Sequence, residues 1–290
     1  MESGFLVINK DKGIGSTKAV SIAKRILKPK KIGHAGTLDP LAEGVLILAI
    51  NEATKVIRFV EGAKKQYEFD VFFGAETTTC DAEGEIINQS EKIPTMEEIT
   101  AIIPEFTGAI TQIPPKYSAI KIDGKRAYDL AREGKEFEIK EREIVIESLK
   151  LISLSGNVAR FLVDCSKGTY VRSLARDIAL KLGTYGYVTY LKRTRIGKFS
   201  IENAILLSKL ESIGYDAKDS LLPVETLLDD ILAIALQNDK EFCDLVQGKQ
   251  VKTNLPNQYD VLTCYQGKIV AISDINNGVI APKRIIKGEY

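Results

Sequence analysis

Alternating hydrophobic and polar residues predict the main strands of the chain. Over 66–73 the alternation places Tyr67 on an apolar face and predicts a half-buried strand. The segments 139–154 and 159–165 also alternate and are rich in β-branched residues. An unbroken apolar run covers 45–50, as expected for a fully buried strand.

Apolar residues at helical spacing predict two helices, one over 16–27 and one from about 170 to 182. Ser16 or Thr17 is the predicted N-terminal cap of the first helix, and Thr169 is that of the second. Shorter patterns predict further elements, namely strands over 5–8 and 186–191 and helices over 55–60 and 96–103.

The last part of the chain differs in character from the rest. From about residue 248, short β segments alternate with turns, which predicts a small β-barrel or sandwich. A proline-containing junction at 221–225 and an acid-rich stretch precede it. We therefore predict a division into a domain over 1–228 and a small domain over 229–290 that serves binding or stability.

Charge is balanced over the whole chain but uneven along it. The net charge of +1 excludes a globally basic nucleic-acid binder. Eight basic residues and one acid lie between positions 10 and 36, however, and 192–198 holds a second basic cluster. This distribution permits a local face for a polyanion, and an ordinary solvated surface explains it equally well.

The composition also bears on location and metal binding. The chain has no apolar run long enough for a membrane span, and no signal peptide is expected. One histidine and four scattered cysteines exclude zinc-type spacing and favour reduced thiols. We therefore expect a cytoplasmic protein without a membrane segment or a metal site.

Candidate chemistry lies in the polar run that precedes the apolar run 45–50. It contains His34, the single histidine, and Asp39, an acid held at the rigid edge of a predicted strand. Arg172 lies in the first turn of a predicted helix, where the helix dipole disfavours a cation, so an anionic partner is expected. Asp39 beside Arg172 would be an ionised carboxylate that can act as a nucleophile or an electrostatic stabiliser. A His34–Asp39 acid–base pair, or a structural role for both, stays open.

Residues 112–132 interleave basic residues with Tyr117 and Tyr128. Such a pattern suits a phosphate backbone with unstacked bases, and a plain surface loop leading into a helix explains it equally well. The candidate RNA contacts are Lys116, Tyr117, Lys121, Lys125, Arg126 and Arg132.

Six runs, in order, resemble the TruB-type pseudouridine synthases, which isomerise the T-loop uridine at tRNA position 55. They are VINK (7–10) with Gly13, GHAGTLDPLAEGVL (33–46), EATK (52–55), KQY (65–67), the run 112–132 and SKGTYVR (166–172). The run GVIAPKR (278–284) is similar to the end of the family's PUA-type RNA-binding domain. Asp11 departs from the proline common there in the family, which bears on loop stiffness and not on the chemistry.

The resemblance implies an α+β fold: a catalytic domain with a central mixed, mainly antiparallel sheet flanked by helices, and a small PUA-like β domain. It implies that Asp39 is the nucleophile, attacking either the ribose C1′ or the uracil C6, and that Arg172 orients it. Tyr67 would stack on the flipped uracil, with Lys10 near it and Tyr170 lining the same pocket. His34 would take the place of the flipped base in the RNA loop. Base flipping is expected because the reacting atoms are hidden in a folded loop.

The resemblance further implies the partners. We expect a monomer that binds the T-loop and T-stem of tRNA directly, with no cofactor and no guide RNA, and in which 112–132 forms a mobile clamp. A tRNA-folding chaperone with secondary modification activity is the alternative function. A guide-RNA-dependent synthase is a third.

Overall fold

The structure is a computed structural model that describes residues 2–118, 120–229 and 233–288. Ala119, within the run 112–132, and residues 230–232, at the predicted domain division, lie outside the described residues. The helices are α1 (Ser16–Leu27), α2 (Ile57–Gly62), α3 (Met96–Ile102), α4 (Ala127–Arg132), α5 (Val171–Lys181), α6 (Leu207–Ile213) and α7 (Asp239–Val246). The strands are β1 (Gly4–Lys10), β2 (Ile32–Ala35), β3 (Glu43–Ile50), β4 (Lys65–Phe73), β5 (Ala75–Thr77), β6 (Ile86–Gln89), β7 (Gly108–Gln112), β8 (Lys121–Ile122), β9 (Lys125–Arg126), β10 (Arg142–Ser155), β11 (Val158–Cys165), β12 (Gly186–Ile196), β13 (Phe199–Ser200), β14 (Ile205–Leu206), β15 (Ala233–Ala235), β16 (Val251–Lys252), β17 (Gln258–Tyr265), β18 (Lys268–Asn276) and β19 (Val279–Ile285).

A mixed sheet of ten strands forms the centre of the described part. Its main path is β14-β1-β3-β12-β4-β11-β10-β7, with β2 beside β3 and β13 beside β12. The pairs β1–β14 and β3–β12 are parallel, and the other pairs in this sheet are antiparallel. This confirms the predicted α+β class with a mixed, mainly antiparallel sheet.

The core lies on the face of the sheet that the alternation of β4 predicts. Tyr67, Phe69, Val71 and Phe73 are all buried on it, and the Phe69 ring stacks on Phe161 of β11 at 5.3 Å. The buried faces of α1 and α5 pack into the same cluster. Burial of each large apolar side chain contributes about 1.5–3 kcal/mol, so this face holds the sheet and the two helices as one body.

The predicted helix caps are wrong. Helix α1 begins after Gly15 and α5 after Tyr170, and neither residue provides a side-chain cap. The Thr169 hydroxyl instead donates to the Ser166 carbonyl at 3.1 Å within the preceding turn. The Ser16 hydroxyl bonds to Leu38, far along the chain, because tertiary contact offers it both a donor and an acceptor.

Strand β12 is longer than the predicted strand over 186–191. It runs to Ile196 because β4 and β3 pair with it on its two sides, so most of the second basic cluster lies inside the sheet. Within that cluster Arg195 pairs with Asp164 at 2.6 Å, and Lys192 lies 3.6 Å from Glu43. Its interpretation as a polyanion-binding face stays a prediction.

The C-terminal part is a five-stranded sheet in the order β15-β17-β18-β19-β16, with α7 packed on it. Helix α7 was not predicted because it lies where the acid-rich stretch ends. Its N-cap is Asn238, whose side chain accepts from the Glu241 backbone N–H at 3.0 Å. Leu262 and Ile272 of this sheet share a buried cluster with Ile47 of β3, so the two sheets pack together. The residue at which the chain divides into domains stays a prediction.

Among the described helices, none has the length and the apolar character that crossing a membrane would require.

Candidate active site

Asp39 lies on a loop between β2 and β3 whose backbone is held from several sides. The Leu38 N–H donates to the Ser16 hydroxyl at 2.8 Å, and that hydroxyl donates to the Leu38 carbonyl at 3.0 Å. The Pro40 carbonyl accepts from the Gly13 N–H at 2.8 Å, which ties the loop to the end of β1. The carboxylate is therefore presented from a loop with little freedom, as the acid before a buried strand predicts.

Arg172 is the charged centre of the site. Its Nη2 lies 2.8 Å from Oδ2 of Asp39, and its Nη1 lies 3.2 Å from Oδ2 of Asp81. The same two nitrogens donate to the carbonyls of Tyr117 at 3.0 Å and Thr79 at 3.1 Å. The Arg172 side chain is 6% exposed and that of Asp39 is 37% exposed, so the guanidinium is enclosed while the carboxylate faces the opening. These contacts confirm the expected anionic partner of a cation at a helix N-terminus.

Asp81 is a residue of the site that the sequence reasoning missed. Its side chain is only 3% exposed, and its other oxygen accepts from the Thr79 hydroxyl at 2.5 Å and the Glu83 N–H at 3.0 Å. It lies in the polar turn after β5, and polar turns are common at a protein surface. Its burial could not be predicted from this local pattern, because β12 and Arg172 of α5 contact the turn only in the folded chain.

The pocket beside Asp39 has a volume of about 300 Å³, at the lower end of the usual range for small-molecule sites. Tyr67 of β4, Tyr170 before α5 and Leu191 of β12 line it together with Asp39 and Arg172. Burial raises the pKa of both tyrosines, so each hydroxyl stays protonated. The structure thus brings together four of the residues proposed from the sequence: Asp39, Arg172, Tyr67 and Tyr170.

Gln112 of β7 fixes the backbone at Tyr170. Its buried amide accepts from the Tyr170 N–H at 2.8 Å and donates to the Tyr170 carbonyl at 3.1 Å. The Arg142 guanidinium lies over the Tyr170 ring, 5.5 Å from its centroid. The start of α5 is therefore held to the same strand that leads into the run 112–132.

Two buried lysines add positive charge around the pocket. Lys10, at the end of β1, is fully buried and donates to the carbonyls of Asp11 at 3.0 Å and Ile14 at 2.5 Å. Lys65, which lines the pocket, donates to two backbone carbonyls at 2.6 and 2.7 Å. Burial lowers the pKa of each to about 8, so their charge changes within an accessible pH range.

His34 is separate from the Asp39 carboxylate. It lies on β2 opposite Leu48 of β3, and burial lowers its pKa. Within the described ranges it makes no hydrogen bond with Asp39, whose ion-pair partner is Arg172. The geometry therefore favours the Asp39–Arg172 pair over a His34–Asp39 acid–base pair.

The candidate RNA-contacting residues lie on an extension next to the pocket. The extension is the run 112–132, which contains the hairpin β8–β9 and helix α4, and five of its basic side chains are exposed: Lys116, Lys121, Lys125, Arg126 and Arg132. Arg126 and Arg132 lie over the Tyr128 ring, at 5.8 and 5.6 Å from its centroid. Tyr117 is joined to the site because its carbonyl accepts from Arg172.

In the ranges that the structure describes, no group of three or more His, Cys, Asp or Glu side chains is placed to hold a metal ion.

Comparison with known proteins agrees with this arrangement. Residues 24–171 match the model of the TruB family pseudouridylate synthase N-terminal domain, and 172–232 match the tRNA pseudouridylate synthase B C-terminal domain. A tRNA pseudouridine synthase B of Caulobacter sp. strain K31 is 43% identical over 300 residues, covering 98% of this chain and 96% of its own. One of Zymomonas mobilis is 48% identical over 244 residues, covering 82% and 80%.

Solved structures show the same fold. An H/ACA ribonucleoprotein bound to a substrate RNA containing 2′-deoxyuridine contains a chain that superimposes with a TM-score of 0.75 at 20% identity. A chain of a Cbf5-Nop10-Gar1 complex does so with a TM-score of 0.75 at 23% identity. Each match covers 98% of this chain and 85% of the other. At this identity the likeness establishes the fold alone.

Proposed function

The chain belongs to the TruB family of pseudouridylate synthases and is an isomerase of tRNA uridine, and we propose that it acts at position 55 in the T-loop with Asp39 as its nucleophile. The observation that carries the proposal is the carboxylate of Asp39 at the mouth of the pocket, held at 2.8 Å by an enclosed Arg172. An ionised carboxylate in this position can attack an electrophilic carbon.

The reaction breaks the bond between uracil N1 and ribose C1′ and forms one between C5 and C1′. The proton on C5 is released, and N1 takes up a proton, so the product is an isomer of the substrate. If Asp39 attacks C1′, the carboxylate is displaced when C5 bonds to C1′. If it attacks C6, the carboxylate leaves C6 after that bond has formed, as the C5 proton is lost. Arg172 holds one oxygen of the Asp39 carboxylate, and the pocket would allow the detached base to turn.

The pocket fits a single flipped base. We propose that Tyr67 stacks on the uracil, that Tyr170 lines its other side, and that Lys10 supplies positive charge nearby. His34, outside the pocket, would occupy the space in the RNA loop that the base leaves. Extrusion of the base has an energetic cost that such contacts offset.

The extension 112–132 would contact the T-stem and T-loop. Its exposed cations suit phosphates, and the aromatic ring of Tyr128 beside two arginines suits an unstacked base. We propose that the protein acts as a monomer in the cytoplasm and without a guide RNA. The cytoplasmic location is proposed from the cysteines, all four of which are free.

The test uses purified protein and a tRNA transcript labelled with tritium at uridine C5, with no other RNA or protein present. Wild type should release tritium, and mapping should place pseudouridine at position 55. Asp39→Asn should bind the transcript nearly as well and release none, while Asp70→Asn, whose carboxylate pairs with Arg160 outside the pocket, should be active. Substantial turnover by Asp39→Asn would refute the nucleophile assignment. An inactive wild type that became active only with an added guide RNA would refute direct recognition.

A further inference from the structure

Arg193 is a buried arginine of β12 to which the proposed function gives no role. It is 1% exposed, and it lines the same pocket as Asp39. In the sheet it lies opposite Gly44 of β3 on one side and Tyr67 of β4 on the other. It therefore stands between the strand that follows the Asp39 loop and the strand that carries the proposed stacking residue.

The charge of Arg193 has no carboxylate partner among the described residues. It donates to three backbone carbonyls, from Nε to Val45 at 2.8 Å, from Nη2 to Gly36 at 3.1 Å and from Nη1 to Thr37 at 3.5 Å, and its side chain also hydrogen-bonds with Tyr67. Arg172, by contrast, is paired with two carboxylates. Burial of a guanidinium without an opposite charge is costly, so its presence needs a reason beyond stability.

The carbonyls that Arg193 binds lie on both sides of Asp39 in the sequence. Gly36 and Thr37 come shortly before it, and Val45 lies after it in the buried part of β3. One planar guanidinium thus spans the two ends of the loop that carries the proposed nucleophile. An ammonium group has the same charge but lacks this rigid fork of donors.

The backbone around Arg193 is shaped for this contact. Gly44 has a φ of +106°, and a Cβ atom there would lie 2.2 Å from the Arg193 carbonyl oxygen. A glycine is therefore required for β3 and β12 to approach each other at the point where the loop ends. The guanidinium itself lies beside the start of the loop, where a Cβ atom at Gly36 would lie 3.6 Å from Nη1 of Arg193.

We propose that Arg193 is a positioning residue for Asp39, because its guanidinium fastens both ends of the loop 36–45 to β12. The carboxylate is then held in place from two directions, by Arg172 at its oxygen and by Arg193 through its backbone. This inference rests on the proposed function. A shift of about 1 Å in a reacting group lowers a rate on the order of 100-fold, so loss of the fork should be seen in the chemical step.

The test compares Arg193→Lys and Arg193→Gln with Arg160→Lys. The lysine variant keeps the charge and removes the fork. Arg160 is a matched control, because it is an arginine of the neighbouring part of the sheet that pairs with Asp70 and does not line the pocket. For each variant we measure the single-turnover rate at saturating enzyme, and KM and Kd for the tRNA transcript. We also measure hydrogen exchange of a peptide that covers 33–42.

We expect Arg193→Lys to lower kcat on the order of 100-fold with KM and Kd nearly unchanged, and to speed exchange in 33–42. Arg160→Lys should change neither. A fall in kcat of less than about fivefold, roughly 1 kcal/mol in the barrier, would overturn the proposal, and so would unchanged exchange in 33–42. If Arg193→Gln fails to fold, the lysine variant alone decides. An inactive wild type would instead count against the proposed function, so the two failures are distinguishable.

Discussion

Replacement of Asp81 by asparagine isolates the contribution of the second carboxylate on Arg172. The change removes one negative charge and keeps the shape of the side chain. Its amide oxygen can still accept from the Thr79 hydroxyl and the Glu83 N–H, which now hold the carboxylate. The variant therefore tests the ion pair and not the packing of the turn.

The size of the effect follows from the geometry. At 3.2 Å, two unit charges attract by about 5 kcal/mol at an effective dielectric constant of 20, and desolvation offsets part of this. Removal of one partner of a buried pair typically costs about 3–5 kcal/mol. Because Asp39 still pairs with Arg172, we expect the lower end, a loss of about 3 kcal/mol in the free energy of unfolding. Without the Asp81 charge, the Arg172 side chain should be held less firmly and should position Asp39 less well, so kcat should fall about tenfold.

Urea unfolding followed by circular dichroism measures the stability, and single-turnover tritium release measures the chemical step. Asp70→Asn is the control, because Asp70 pairs with an Arg160 side chain that is 41% exposed and lies outside the pocket. It should cost only about 1 kcal/mol and leave kcat unchanged. A loss below about 1 kcal/mol with an unchanged kcat in Asp81→Asn would refute the view that Arg172 depends on two carboxylates.

Three further changes have defined outcomes. Arg172→Lys keeps the charge but cannot serve both carboxylate partners, so kcat should fall on the order of 100-fold with tRNA Kd unchanged in filter binding; a fall of less than about tenfold would contradict this. Gly44→Ala should lower the free energy of unfolding by at least about 2 kcal/mol, because the new Cβ would lie 2.2 Å from the Arg193 carbonyl oxygen and alanine is strained at the positive φ of this position. An unchanged Tm would count against this. Burial lowers the pKa of Lys10 and Lys65 to about 8, below the value of 10.5 that the unfolded chain keeps, so the folded protein releases these protons first. Stability should therefore rise from pH 8 towards pH 10, and Lys65→Met should show a smaller rise; equal slopes in the two proteins would exclude this source.

Local pattern was sufficient for the main elements of the fold. The alternation over 66–73 predicted β4 and its buried face, and the apolar run 45–50 predicted most of β3, because side chains of a strand alternate between its two faces. The stripe of α5 was predicted in the same way. Helix caps were predicted wrongly, since a hydroxyl at a helix start is also free to bond with a distant segment, as Ser16 does with Leu38.

The candidate site was predictable only in part. Asp39 was recognisable from its place before a buried strand, and its role as nucleophile came from the family resemblance. Arg172 was recognisable because a cation at a helix N-terminus breaks a local expectation. Asp81 and Arg193 break none, since one lies in a polar turn and the other in a basic cluster. Their roles arise from burial, which removes water and makes every charge depend on the groups within a few ångströms.

The sequence by itself determined the strands and helices, the α+β class and the resemblance that points to tRNA uridine. Only the tertiary structure decided that the Arg172 guanidinium pairs with both Asp39 and Asp81. It also decided that the Arg193 guanidinium spans the loop that carries Asp39. The physical reason is that the spacing of apolar residues in the sequence decides which face of a helix or strand is buried. A buried charge is instead stabilised by partners from separate segments, here the loop between β2 and β3, the turn after β5, and the strands β3 and β12.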